Sequence, residues 1–510
     1  MKRILVLTIC LAMLLSTASA LADKVSFTAS QMSQIVEGGD YTHDDVFYTL
    51  SDMFNFTYTL YPVDYAVWHE KNTLWITSGQ MPNMVFYNFN FIEYSQYVEQ
   101  ELIGALPDGW EAKYPNLAAL VEATGIADKI KVDGKTYCVP SIIFWAFAPV
   151  SVPIPHDIVY YRYDWAQQLG YDWPEGVATI SEFQSFLKDA IDAKLDGKEV
   201  TKAWTGASDG YGPLMNSIIN LYSPDFSSFY KQDGKYVWGP TQPGVVEGIS
   251  RMRDLYQKGL VDPEFYLNQP GDSFYSGTAA AFSYGHTADH TNAIAMTWLK
   301  MNGTDPYEHV HTLTLTDDEG KYTTAMPSSN FWSATLFSPD NTPEQWDAML
   351  SLYDYLATVE GQELVGLGIK GVDWDKNEDG TYKILREANE DGTYPLIKQV
   401  YPSCSFWMLR DVLPDSFAFV DPARDLRFTQ LAIDAYKWRL ENGTFRPYDP
   451  DYAFYVSDAK SQYGLQIREE IVRIVVDPSL DVETAWNTYI ETNRPIWEPL
   501  LNELNENFGE

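Results

Sequence analysis

The stretch Trp75-Ile-Thr-Ser-Gly-Gln-Met-Pro-Asn-Met-Val-Phe-Tyr-Asn-Phe-Asn90 constrains the fold of this chain more than any other. Leading into it, Val67, Trp68, Leu74 and Trp75 fall on one helical face, and Gly79 sits where a left-handed cap would end that helix. Pro82 forbids its continuation. Met84-Val-Phe-Tyr87 is then a short unbroken apolar run of the kind buried on both faces of a parallel sheet, and Asn88 to Asn90 emerge from its carboxyl end. Helix, turn and doubly buried strand in this order predict an α/β fold, and in open α/β sheets that end of a strand faces the ligand crevice.

The amino terminus reads as a secretory signal. Lys2 and Arg3 precede an apolar run from Ile4 to Leu15 that is too short to span a membrane, and Ala20-Leu21-Ala22 supplies the small-x-small cleavage pattern. Cys10 lies inside the apolar run behind Ile9 and no Cys adjoins Asp23, so the expectation is a soluble exported protein, periplasmic or at the outer face of the cell membrane. Cleavage after Ala22 leaves 488 of the 510 residues, enough for two or three domains.

The chain carries 35 Lys and Arg against 71 Asp and Glu, a net charge of −36, which argues against nucleic acid and anionic membrane surfaces as partners. Only Cys138 and Cys404 lie beyond the signal, and two buried thiols are expected rather than a disulfide framework. Asp375-Lys-Asn-Glu-Asp-Gly380 resembles the start of a calcium loop, but Arg386 stands where the bidentate Glu belongs, so the segment is read as a hairpin turn.

Elements of an α/β protein continue along the chain. Val46 to Phe54 reads as an amphipathic helix, Phe56 to Tyr61 as a strand, and Asp133-Gly134 as a hairpin turn. Thr179 with Glu182 forms a capping box before the stripe Phe183, Phe186, Leu187, Ile191 and Leu195. A helix from about Pro243 buries Val246, Ile249, Met252, Leu255 and Tyr256 and stops at Gly259. Thr342-Pro-Glu-Gln345 is a second capping box, opening the helix with Trp346, Leu350, Tyr353 and Leu356. Beyond Trp374, to Glu510, the chain reads as mostly helical.

Several ordered motifs resemble those of family 1 extracellular solute-binding proteins of ABC importers, in particular their large, lipoprotein-type, oligosaccharide-binding branch. They are Ser78-Gly-Gln-Met-Pro-Asn83, with Asn83 where Asp is usual, and Asp133-Gly-Lys-Thr-Tyr-Cys-Val-Pro140, with Cys138 in place of a Gly. Arg162-x-Asp164-Trp165, Asp254 to Glu264, and Gly277-x-x-Ala280-Ala281 follow. Glu360-Gly361, Gly368-Ile-x-Gly-Val-x-Trp374, and Trp486 with Tyr489 complete the set. The resemblance implies a two-lobed periplasmic-binding-protein fold of the class II type, with two or three hinge strands and a helical C-terminal region. It implies a first lobe of residues 23–157 plus 283–362 and a second of 158–282 plus 363–510, after a signal peptide of 1–22. Arg162 and Asp164 are read as a structural ion pair or cap.

Phe, Tyr and Trp number 25, 35 and 16, a load that suggests aromatic rings in the cleft, where they would pack on the flat faces of sugars. By the resemblance, Tyr87 holds the place of a sugar-stacking ring and Asn90 that of a polar contact, while Tyr284 and His286 form the matching strand tip of the second lobe. Trp407 resembles a third stacking position, and Trp145 and Trp332 lie near predicted lobe-facing crossings. No nucleophile elbow, zinc-protease helix or phosphate loop is present, and neither a cofactor nor a metal is expected. The implied function is capture of an oligosaccharide by a monomer and delivery to the transmembrane subunits of an ABC permease. A secreted glycoside hydrolase and an extracellular sensor that presents ligand to a membrane kinase stay open as alternatives.

Overall fold

The computed structural model describes residues 24–32, 44–88, 90–142, 158–206, 212–267, 271–285, 288–325, 331–390, 392–406, 421–446 and 449–509. Ten strands build two main sheets. In chain order they are β1 (Val25–Met32), β2 (Phe56–Val63), β3 (Met84–Tyr87), β4 (Cys138–Ile142), β5 (Ile158–Arg162), β6 (Val177–Thr179), β7 (Trp204–Gly206), β8 (Ala281–Tyr284), β9 (Val310–Thr316) and β10 (Phe331–Phe337). The first sheet has the order β2-β1-β3-β10-β4 and the second β6-β9-β5-β8-β7. In the first, β1 runs parallel to β2 and β3, while β10 is antiparallel to β3 and β4, with Ala334 opposite Tyr87. In the second, β5 is antiparallel to β8 and β9, with Ile158 opposite Tyr284.

Each sheet has its own core. Phe27, Val85, Leu117, Leu336, Leu350 and Cys404 belong to the first, and Val159, Phe183, Trp204, Ile249, Trp486 and Leu504 to the second. Two five-stranded sheets, each with its own core, make a two-lobed α/β architecture. The chain passes from the first sheet to the second between Ile142 and Ile158, returns between Thr316 and Phe331, and leaves the first core again after Phe406 to reach Phe428.

The expected division between lobes needs two corrections. The resemblance places residues 283–362 in the first lobe, yet β9 pairs with β5 and β6, and the helix Ala288–Asn302 packs Ile294 and Trp298 against Ile158 and Tyr160. It places residues 363–510 in the second, yet Val365, Ile397, Tyr401 and Cys404 join the first core. Strand pairing and packing decide membership in both cases, and neither leaves a local trace.

Local signals fared differently. Asn90 with Glu93, Thr179 with Glu182 and Thr342 with Gln345 all form reciprocal capping boxes. Gly79 adopts φ 67° at the end of the helix Trp68–Thr77. The buried face of that helix is Trp68, Asn72 and Ile76, however, whereas Val67 and Leu74 are exposed. A polar residue takes the core side because Asn72 Nδ2 donates to the Phe86 carbonyl at 3.1 Å and its Oδ1 accepts from Ser30 at 3.2 Å.

Several motifs have structural explanations. Arg162, almost fully buried, donates two hydrogen bonds to Asp164 at 2.8 and 2.6 Å and one to Asp196 at 2.7 Å, and lies 4.0 Å from the centroid of Trp165. In Gly368-Ile-x-Gly-Val-Asp-Trp374, Asp373 accepts from Ile369 N at 2.7 Å and Trp374 Nε1 donates to the Gly368 carbonyl at 2.8 Å. Asn83 uses both ends of its amide, accepting from Thr28 N and donating to Asn341, which an Asp could not do. Cys138 and Cys404 are buried free thiols, and burial pushes the Cys138 thiol up to about 12. The segment 375–380 forms a hairpin turn in which Asp379 Oδ1 accepts from Thr381 N and Oγ1.

Glu182 Oε2 accepts from both Thr179 N and Oγ1 at 2.9 Å on an exposed surface. Glu182→Ala is therefore expected to lower stability by about 1 kcal/mol, read from urea unfolding, through loss of the capping box alone.

Candidate ligand-binding site

The first-lobe part of the site is built where β3 ends. Trp68 Nε1 donates to the Phe86 carbonyl at 2.8 Å beside the Asn72 bond, and this pair holds the helix Trp68–Thr77 against the strand. The next residue of β3, Tyr87, is fully buried. Its hydroxyl lies 2.7 Å from Thr73 Oγ1, and its ring stacks on His69 with centroids 5.3 Å apart and 22° between planes. Burial pushes the phenol far above its ordinary range, so Tyr87 is a neutral packing element.

His69 is the exposed ring of this pair, with 61% of its side chain accessible. One ring nitrogen lies 3.3 Å from the Asn88 carbonyl and the other 3.7 Å from Glu93 Oε1. Asn88 and Asn90 are exposed beside it. The Asn90 side-chain oxygen accepts from Glu93 N at 2.9 Å, and Glu93 Oε2 accepts from Asn90 N at 3.2 Å. Tyr87 therefore supports the exposed surface and does not form it, which corrects the expectation of a free stacking ring there. Asn90 is the exposed N-cap of the helix Phe91–Glu99.

On the second lobe, Tyr284 ends β8 opposite the first residue of β5. It is half-buried, stacks on Phe282 at 5.6 Å and meets the edge of His290 at 4.8 Å. Tyr160 donates to the Gly285 carbonyl at 2.8 Å. A Cβ at Gly285 would lie 2.1 Å from His290 Nδ1, so only glycine admits the imidazole at that place.

Tyr87 and Tyr284 stand at the carboxyl ends of inner strands, near where the chain crosses between the sheets. Tyr284 faces Ile158 just after the first crossing, and Tyr87 lies one strand from β10, whose Phe331 pairs with Ile142 just before it. Of the other expected residues, Trp145, His286 and Trp407 lie outside the described residues, and Trp332 is described only as part of the backbone of β10. Sequence reasoning missed His69 and Glu93. Their assembly depends on a helix folding back over β3 and on a capping box, and only the capping pattern Asn90-x-x-Glu93 was visible in the residues.

The first-lobe arrangement is an exposed imidazole with amide and carboxylate groups at its margin, and the second lobe carries a Tyr–His pair at the end of β8. Rings with such polar margins match the apolar faces and hydroxyl rims of sugars.

No protein-family model matches the chain. The fructooligosaccharide ABC transporter substrate-binding protein FusA of Streptococcus pneumoniae is 22% identical over 240 residues, and the match spans 46% of this chain and 44% of that protein, under half of either. Among solved structures, FusA in complex with kestose superposes with a TM-score of 0.63 at 16% identity, over 94% of this chain and 97% of that one. Alginate-binding protein AlgQ2 superposes at 0.62 and 14% identity, over 94% and 97%. The N-glycan transport solute-binding protein NgtS of Streptococcus pneumoniae, in complex with Man5GlcNAc, superposes at 0.59 and 13%, over 95% and 98%. These likenesses establish the fold.

Because Tyr87 is a buried packing element, Tyr87→Ala is expected to lower stability by about 3 to 5 kcal/mol in urea unfolding. Tyr87→Phe, which removes only the hydroxyl that meets Thr73, is expected to cost about 1 kcal/mol.

Proposed function

We propose that this chain is the extracellular substrate-binding component of an ABC importer, which captures an oligosaccharide between its lobes and delivers it to a membrane permease. The observation that carries this reading is the exposed His69 ring stacked on buried Tyr87 at the carboxyl end of β3, a polar-rimmed ring surface of the kind that packs on sugars. The similarity to proteins whose ligands are fructooligosaccharide, N-glycan and alginate supports it. His69, Asn88, Asn90 and Glu93 form the first-lobe contacts of this proposal, and Tyr284 and His290 those of the second. Trp145, His286, Trp332 and Trp407 complete the set. The protein acts outside the cytoplasm, after removal of residues 1–22, as a monomer that binds and does not cleave its ligand.

Closure follows from differential binding. A ligand shifts an open–closed equilibrium only by its preference for one state, so groups that bridge the lobes matter more than total contact. The net charge of −36 favours neutral oligosaccharides over uronate-bearing ones at low ionic strength.

A thermal-shift screen of kestose, mannose-containing N-glycan oligosaccharides, alginate oligosaccharides, amino acids and short peptides tests the reading. At a hundredfold excess over its dissociation constant a ligand adds about 2.7 kcal/mol of apparent stability. Neutral oligosaccharides are expected to shift the transition, and a shift only with peptides or amino acids would overturn the proposal. With the sugar so found, His69→Ala and Trp407→Ala are each expected to weaken calorimetric binding by roughly 1 to 3 kcal/mol. Unaltered affinity in both would refute the site assignment, and release of reducing sugar during the titration would favour a hydrolase.

A further inference from the structure

One short helix, Asp451–Phe454, touches both lobes at once. It is reached from the strand Thr444–Arg446, which pairs in parallel with Thr323–Ala325 in the segment that returns from the second sheet to the first. The Asp451 carboxylate is divided between two lysines: Oδ1 accepts from Lys129 at 2.7 Å and Oδ2 from Lys231 at 2.8 Å. Lys129 lies between Ile126 and Ile130 of the first core, and Lys231 lies in the hairpin Phe229–Gln232 with Lys235–Trp238 of the second. Asp449 stands 3.9 Å from Lys231, so two carboxylates meet two ammoniums.

The apolar side chains of the helix divide in the same way. Phe454 meets Phe91 edge-on at 5.0 Å, and Phe91 is the residue after Asn90 in the first-lobe part of the site. Tyr452 packs on Phe229 of the second lobe at 5.3 Å. Lys460 donates to the carbonyls of Tyr452, Ala453 and Tyr455 and lies 4.8 Å from the centroid of the Tyr452 ring, which ties the helix to the following Asp458–Gln462.

We infer that Asp451–Phe454 is a clasp between the lobes, with Asp451 as its pin and Phe454 as its wedge, and that it sets how far the unliganded protein opens. Moving the lobes apart must take the carboxylate from one of its two ammoniums and Phe454 from Phe91 or Tyr452 from Phe229. Asp451 is only 20% exposed, so water replaces the lost partner poorly. Burial alone would raise the Asp451 carboxyl, yet the two lysines hold it below its ordinary value, as expected of a carboxylate engaged on both sides. The clasp depends only on the two-lobed fold and not on which ligand the protein binds.

Spin labels on exposed positions of the two lobes, Glu122→Cys and Ser185→Cys, report the interlobe distance by pulsed dipolar spectroscopy in the full chain without ligand. Asp451→Asn is expected to broaden the distribution and at least double the population at longer separations. Lys129→Gln and Lys231→Gln are expected to do the same from either side, and combining Lys129→Gln with Asp451→Asn should add nothing further. Lys131→Gln, which breaks an exposed pair with Asp128 inside the first lobe, should leave the distribution unaltered. A parental distribution in Asp451→Asn, additive effects in the double variant, or an equal response in Lys131→Gln would each overturn the clasp. Far-UV dichroism and the melting temperature separate a change in opening from a loss of fold.

Discussion

The carbonyl of Phe86 is the group on which the first-lobe site depends. β3 is buried at all four residues, so its backbone polar groups cannot fall back on water. Trp68 and Asn72 both donate to that carbonyl, and together they fix the position of the helix that carries His69 and Thr73. Once that helix is docked, Thr73 meets the Tyr87 hydroxyl and His69 covers the Tyr87 ring. The exposed imidazole is thus a consequence of satisfying one buried acceptor.

The same economy of buried polar groups recurs where the chain is joined over long distances. Asp44 caps its own helix through Phe47 N and also accepts from Ser403 N at 2.6 Å, which anchors the last first-lobe segment before the chain leaves for the second core. Burial raises the Asp44 carboxyl against these bonds. Arg162 gathers Asp164 and Asp196 under Trp165 and Trp298 at the other end of β5 from Tyr284, and His309 Nδ1 approaches Asp164 at 2.8 Å. One end of the second sheet is therefore closed by a charge network, while the opposite end carries the Tyr284–His290 pair.

Two cores linked by several crossings make a body that can change shape by hinge motion without unfolding either half. In such a molecule a short bridging element has influence out of proportion to its size. Asp451–Phe454 contributes one carboxylate and two rings, yet those groups are shared between the two cores.

Residues close in sequence were enough to determine the α/β class, the caps at Thr179 and Thr342, the helix ends at Gly79 and Gly259, and the Arg162–Asp164 pair, because each rests on a periodicity or a hydrogen bond within a turn. They also pointed to the carboxyl end of β3 as a ligand-facing edge. Tertiary structure alone decided that β9 belongs to the second sheet and Ile397 to the first core, since strand pairing depends on how the chain reverses. It decided too that Asn72, not Leu74, turns inward, because hydrophobic periodicity does not register a buried carbonyl in need of a donor. Tyr87 lost its expected exposure for the same reason. Its type suited a platform, but the helix fixed to Phe86 laid His69 over it, and Asp451 found its two lysines only when segments distant in sequence converged.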